Sequence, residues 1–178
     1  MSTPTNIVVG ISAEGSLKIA PYGTSESSAT DLGFIKGGIT IEHEESSYDI
    51  QVDQILAPIA KITTQEGLKI KFSLAEATLS NIALSLGQEA PSSNQPLEFG
   101  DKAQCAYKTL YANVKGVNGA TRKYTFWKCR PTGKTSQVYK RDGETLIEVE
   151  FDVLADTTKV ATKRFGKIED ITPTSSQN

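Results

Sequence analysis

The chain has 178 residues, 38% of them hydrophobic and 22% charged, with a net charge of −2. That length and balance suit one globular domain with its own core and exclude wholesale disorder. The near-neutral charge excludes a globally basic binder of nucleic acid.

Residues 1–6 are polar and expected to fray. Residues 7–11 and 16–20 are short strand candidates, separated by SAEGS, which has turn chemistry. Residues 22–33, YGTSESSATDLG, read as a loop. After Gly37 and Gly38, Ile39 and Ile41 point one way, while Thr40, Glu42 and Glu44 point the other. EESS, residues 44–47, reads as a polar break. Tyr48, Ile50 and Val52 then share a face opposite Asp49, Gln51 and Asp53, as in a hairpin or two strands joined by a longer excursion. Pro58 suits an edge strand, residues 61–64 resume extended structure, and QEG at 65–67 reads as a turn.

Leu68, Ile70, Phe72 and Leu74 form the inward set of the next strand, with Lys69, Lys71 and Ser73 outward. Past Ala75 the rhythm changes. Leu79, Ile82, Ala83 and Leu86 follow i, i+3, i+4, i+7, one stripe of a helix, and Gly87 stands where a left-handed residue closes it. A helix this short is not stable alone and is expected to cap an edge or end of a sheet. Residues 87–96 form a loop. Residues 104–114 make a strand bearing Tyr107 and Tyr111, Asn118 and Gly119 a turn, and residues 122–129 the returning strand with Tyr124, Phe126 and Trp127. Residues 138–141 and 144–154 flank Asp142–Gly143, a second hairpin signal. In the latter, Ile147, Val149, Phe151 and Val153 face in while Glu148, Glu150 and Asp152 face out. Residues 155–167 carry no clear pattern, and the chain ends in a polar tail.

About nine strands joined by short turns predict a mainly β fold: an antiparallel sandwich or barrel with one flanking α-helix. It is expected to be a single domain over 1–178, with 1–6 and 172–178 as flexible ends. No apolar run reaches membrane-spanning length, and MSTPTNIVVG lacks the basic start and apolar core of a signal peptide; a soluble protein made in a cytoplasm is expected. Cys105 and Cys129 read as small buried side chains, with a single bridge between neighbouring strands as the alternative.

Catalytic and ligand motifs fail on inspection. Gly133-Lys134-Thr135 resembles part of a phosphate loop, but Lys128 stands where its leading glycine belongs and no helix follows. The only histidine, His43, shares a face with Ile39 and Ile41 and reads as a half-buried structural residue rather than a member of a Ser–His–Asp site. One His and two distant Cys are too few for zinc, and EHEESS lacks the glycine and spacing of a calcium loop. The expectation is a protein with no catalytic, metal or cofactor site. Tyr107, Tyr111, Tyr124, Phe126 and Trp127 suit either cross-strand packing or a stacking platform for sugars or bases.

Charge patterning is more informative. Residues 1–101 hold 5 Lys/Arg against 13 Asp/Glu, a balance of −8; residues 102–178 hold 14 against 8, a balance of +6. Either this reflects solvated faces alone, or it gives two poles that favour head-to-tail self-association. Acidic outward faces recur at Glu42 and Glu44, at Asp49 and Asp53, and at Glu148, Glu150 and Asp152. One reading is a solvated face with Lys69 and Lys71 as cross-strand partners. The other is an acidic wall past which DNA slides without sticking, since DNA adheres to Lys/Arg surfaces by releasing counterions.

The stretch GGITIEHEESSYDIQVDQILAPIAKITTQEGLKIKFSLAEATLSNIALSLG, residues 37–87, resembles the centre of the major tail tube proteins of long-tailed bacteriophages. TRKYTFWKCRPTG at 121–133 and GETLIEVEFDVLAD at 143–156 are similar to that family's closing strands, so the resemblance spans roughly 35–156. It implies a sandwich or barrel with a flanking helix. It implies copies in rings, usually hexameric, stacked into a tube that delivers the genome, with no specific DNA binding. Tape-measure, tail-tip initiator and terminator proteins would be its partners, and the virion tail, assembled in the host cytoplasm, its location. It further implies that Glu44, Glu45, Ser46, Ser47 and Tyr48 reach the next subunit or ring. The lumen-facing acidic candidates are Glu42, Asp49, Asp53, Glu148, Glu150 and Asp152. The alternatives are the inner tube of a contractile tail or secretion device, and, from another class, a carbohydrate-binding module or a capsid-decoration β-sandwich.

Overall fold

A computed structural model describes residues 16–98, 105–115 and 121–171. The expected strand at 7–11, the turn at Asn118–Gly119 and the two flexible ends lie outside the described residues. In chain order the strands are β1 (Leu17–Pro21), β2 (Thr30–Asp31), β3 (Ile35–Val52) and β4 (Ile55–Leu74). Helix α1 (Leu79–Ser85) follows, then β5 (Lys108–Lys115), β6 (Thr121–Pro131), β7 (Gln137–Val138), β8 (Leu146–Leu154) and β9 (Gly166–Ile171). Every pairing is antiparallel, and the nine strands form one sheet in the order β2-β1-β5-β6-β8-β4-β3, with β7 beside β8 and β9 beside β6. The fold is mainly β and antiparallel with one helix, as the sequence predicts.

The sheet encloses a single core. Leu17, Leu110 and Phe126 from one half meet Ile70, Phe72 and Phe151 from the other, and the Phe72 and Phe151 rings stack at 5.9 Å. Strand β8 shows the expected alternation in full: Ile147, Val149, Phe151 and Val153 are 0–4% exposed. Across the sheet, Ile41 pairs with Ile70 and Ile70 with Phe151, so these side chains share the inner face. Both cysteines are buried and free. Burial pushes the Cys105 thiol up to about 11 and raises Cys129 as well.

Two expected breaks are absent. The polar stretch 44–47 does not interrupt β3, and 65–67 does not turn: β4 runs through it to pair Gln65 with Ser46 and Gly67 with Glu44. Polar residues read as punctuation are ordinary strand positions where neither face is buried. The hairpin turn instead falls at Asp53–Gln54, between β3 and β4. Gly37 and Gly38, at φ +82° and +81°, supply the left-handed backbone of a bulge, where the register jumps from Lys36↔Ser73 to Ile39↔Phe72.

Helix α1 stands where the periodicity places it. The Thr78 side chain caps its start by accepting the Asn81 N–H at 3.2 Å. At its end Gly87 (φ +70°) donates to the Leu84 carbonyl and Gln88 N–H to the Ala83 carbonyl, the paired bonds of a Schellman closure. The buried face differs from the expected stripe. Leu79 is exposed, whereas Asn81, Ala83, Leu84 and Ser85 are buried. Asn81 turns inward because its amide donates to the carbonyls of Leu32 and Glu76, and Ser85 because its hydroxyl donates to the Ile82 carbonyl.

Candidate interaction surface

Strand pairing defines an arm. Strand β8 ends its contact with β4 at Val153↔Leu68. Among the described residues, β4 beyond that point pairs only with β3, so residues 44–67 form a two-stranded hairpin projecting about 30 Å at a strand rise of roughly 3.3 Å per residue. One face carries the cross-strand pairs Tyr48↔Ile62 and Ile50↔Ala60; the other carries Ser47↔Thr63 and Asp49↔Lys61. Among the described residues nothing covers these apolar side chains: on this face Tyr48 is 65% exposed and Ile62 52%, and in the tip segment Ile59 is 52% and Leu56 fully exposed. Between Ile50↔Ala60 and Val52↔Ile55 the register shifts, so Leu56, Ala57, Pro58 and Ile59 bulge out of the ladder.

The expected inter-subunit residues Glu44, Glu45, Ser46, Ser47 and Tyr48 all lie on this arm, in its base-proximal half. At the base, His43 is exposed rather than half-buried, and its Nε2 meets Glu66 Oε1 at 2.8 Å. It sits on the edge strand β3 opposite Leu68, the last rung that β8 reaches. Glu45 stands directly opposite Glu66, and the Thr63 hydroxyl donates to Glu45.

The acidic candidates divide. Glu42, Glu148, Glu150 and Asp152 share the outer face of β3, β4 and β8, but lysines lie between them. One rung reads Glu42–Lys69–Asp152–Arg130 across four strands, and the next Thr40–Lys71–Glu150. Lys71 Nζ donates to Glu42 at 2.6 Å and lies 3.8 Å from Glu150, and Lys69 is 3.4 Å from Glu44. The hydrogen bond to Glu42 and the nearby carboxylates raise the Lys71 pKa. This is a charge-alternating face rather than a uniformly acidic one. Asp49 and Asp53 are not part of it: Asp49 lies on the arm's polar face and Asp53 at its turn. A cavity of about 440 Å³ opens on the outer face between Gly37, Gly38, Lys36, Lys134 and Glu148. Lys36 pairs with Glu144, and Lys134 lies 4.0 Å from Glu150, so these cations already have carboxylates beside them.

The aromatic candidates also divide. Tyr111 and Phe126 are buried, and Tyr124 stacks on Phe126 at 6.1 Å. Tyr107 and Trp127 instead lie under lysines, Lys128 at 4.3 Å and Lys159 at 4.8 Å from the ring centres. Sequence reading missed these lysine–aromatic pairs, because Lys159 lies 32 positions from Trp127 in a segment without periodic signal. The cleft beside Trp127 holds about 190 Å³, below the roughly 300–1,000 Å³ of small-molecule sites. Among the described residues, no group of three or more His, Cys, Asp or Glu is placed to hold a metal, and no helix is long and apolar enough to cross a membrane.

No protein-family model matches the chain, and no curated protein matches it. Among solved structures, the chain is similar to one in the cryo-EM structure of the anti-feeding prophage (AFP) baseplate, 6-fold symmetrised. The identity is 11% and the TM-score 0.47, over 96% of this chain and 97% of that one.

Proposed function

We propose that the protein is a self-assembling structural subunit of a phage-type tail tube, acting without catalysis or cofactor. The observation that carries this reading is the arm, whose apolar face the described residues leave open. A lone two-stranded hairpin is at best marginally stable in water, so a projecting one calls for a partner. Burying the exposed parts of Tyr48, Leu56, Ile59 and Ile62 would contribute about 1–2 kcal/mol each. Association itself costs about 4–15 kcal/mol, so one such contact scarcely holds a dimer. A ring, in which each copy gives one arm and receives another, gathers several contacts at once.

The stretch that resembles the tail tube family, residues 37–87, coincides with β3, the arm, β4 and α1. In this reading Glu44–Tyr48 meet the neighbouring subunit. The charge-alternating face of Glu42, Glu148, Glu150 and Asp152 suits a channel wall, because lysines held by carboxylates are poor captors of DNA phosphates. Tape-measure, initiator and terminator proteins follow as partners, and the virion tail as location. Contractile and non-contractile tails both suit this subunit design.

Negative-stain microscopy and sedimentation of concentrated protein test the reading. Rings or filaments are expected. A protein that stays monomeric with and without a tail-initiator complex overturns it.

A further inference from the structure

The outward surface around Trp127 is the basic counterpart of the arm. Lys159, Lys163 and Arg164 are exposed, and none has a carboxylate within 4 Å among the described residues. Val160 and Ile168 beside them are 70% and 63% exposed. The arm carries the carboxylates Glu44, Glu45, Asp49, Asp53 and Glu66 against one lysine, Lys61, and among the described residues neither Asp49 nor Asp53 has a cation within 4 Å.

The receiving surface is held in shape. Trp127 Nε1 donates to the Lys163 carbonyl at 3.1 Å, and Asp156 N–H to the Arg164 carbonyl at 3.0 Å. The buried Asp156 carboxylate accepts from the Tyr22 hydroxyl at 3.0 Å and the Thr158 hydroxyl at 2.6 Å. These bonds lower the Asp156 pKa, that from Thr158 first. A surface ordered in advance loses less entropy on docking. The cleft between Tyr22, Trp127 and Lys159 is the size of a side chain rather than a sugar.

Register places both surfaces on the same side of one rung of the sheet. At Leu68↔Val153↔Cys129 the β4–β8 pairing ends; beyond it β4 continues as the arm, β8 runs on into residues 155–165, and β6 continues through Trp127 between β5 and β9. The opposite end holds Phe34, Val138 and Tyr139. Copies related by rotation within a ring keep like ends level, so an arm meets its neighbour's same end. Copies stacked along an axis present opposite ends.

Resting on the tube reading above, we propose that the arm of one copy docks, within a ring, on the Trp127–Lys159–Arg164 surface of the adjacent copy. Carbodiimide cross-linking of the wild-type assembly, read by mass spectrometry, tests this directly. Links from Asp49 or Asp53 to Lys159 or Lys163 of another copy are expected; links to Lys134 or Lys140 instead overturn the proposal in favour of stacking. The variant Lys159→Glu/Arg164→Glu should need at least about tenfold more protein to assemble, with an unchanged thermal melt. Adding Asp49→Lys/Asp53→Lys in the same chain should restore assembly. Wild-type rings that assemble equally well with the reversed charges, or that bind heparin through this surface while intact, sink the docking proposal alone. A wild-type chain that never assembles sinks the tube reading with it.

Discussion

Strand β8 and the arm are written in the same alternating code, yet they end in opposite environments. In β8, Ile147, Val149, Phe151 and Val153 are all but inaccessible, because β4 and β6 flank the strand and the far half of the sheet covers its face. In the arm, Tyr48, Ile50, Ala60 and Ile62 align as regularly across two strands, and among the described residues no third strand or opposing layer follows. Alternation therefore reports that a face is meant for burial, not that this chain buries it. The core face stabilises the monomer; in the function proposed above, the arm face serves contacts made by assembly.

The comparison breaks most sharply at Phe151, which stacks on Phe72 in the core. Phe151→Ala should cost about 3–5 kcal/mol of folding stability, measured by chemical denaturation. A loss under about 1 kcal/mol would mean that the rolled sheet does not depend on this contact. On the arm, Ile59→Ser with Ile62→Ser should shift monomer stability by less than about 0.5 kcal/mol, as exposed sites do. The same pair should abolish assembly in sedimentation velocity. A large fall in monomer stability would show that the arm packs on its own domain.

The smallest effect concerns Glu89, which ties the start of β5 to the loop after α1. It accepts from Ala106 N–H and Lys108 Nζ, both at 2.9 Å, and from Cys105 Sγ at 3.3 Å. Burial raises its pKa, but the bonds from Lys108, Ala106 and Cys105 outweigh this and hold it below its ordinary 4.5. A carboxyl lowered in the folded state stabilises above its unfolded pKa and loses that stabilisation as pH falls through the folded one. Glu89→Gln should therefore melt slightly below wild type at pH 7, by under about 1 kcal/mol, and the gap should close progressively below pH 4.5. A gap independent of pH would assign the effect to packing.

Local chemistry made much of the fold legible. Alternation marked β8 and the last third of β4, and a 3.6-residue period with Gly87 marked α1 and its end. The face of α1 was not legible, because Asn81 and Ser85 are buried by hydrogen bonds to carbonyls, one of which, that of Leu32, the tertiary fold supplies. The length of β3 was obscured by polar residues at 44–47, which resemble a turn only if a strand is assumed to have a buried side. Of the candidate site, the resemblance implied an inter-subunit role for Glu44–Tyr48, but the sequence did not show the arm that carries them. It marked the carboxylates of β3 and β8, with Lys69 and Lys71 as cross-strand partners in one of its two readings, but not the register that sets those lysines between them.

What the sequence determined by itself was periodicity: which residues share a face, where a helix replaces a strand, and that charge is divided between the two halves of the chain. These follow from bond geometry over a few neighbours and need no knowledge of partners. The tertiary structure alone decided register, and with it everything that depends on residues distant in the chain. It set Lys69 and Lys71 between carboxylates, placed Lys159 over Trp127, and left residues 44–67 beyond the reach of a third strand. Side chains interact across strands only when backbone pairing brings them within about 5 Å, and that pairing is a property of the whole sheet.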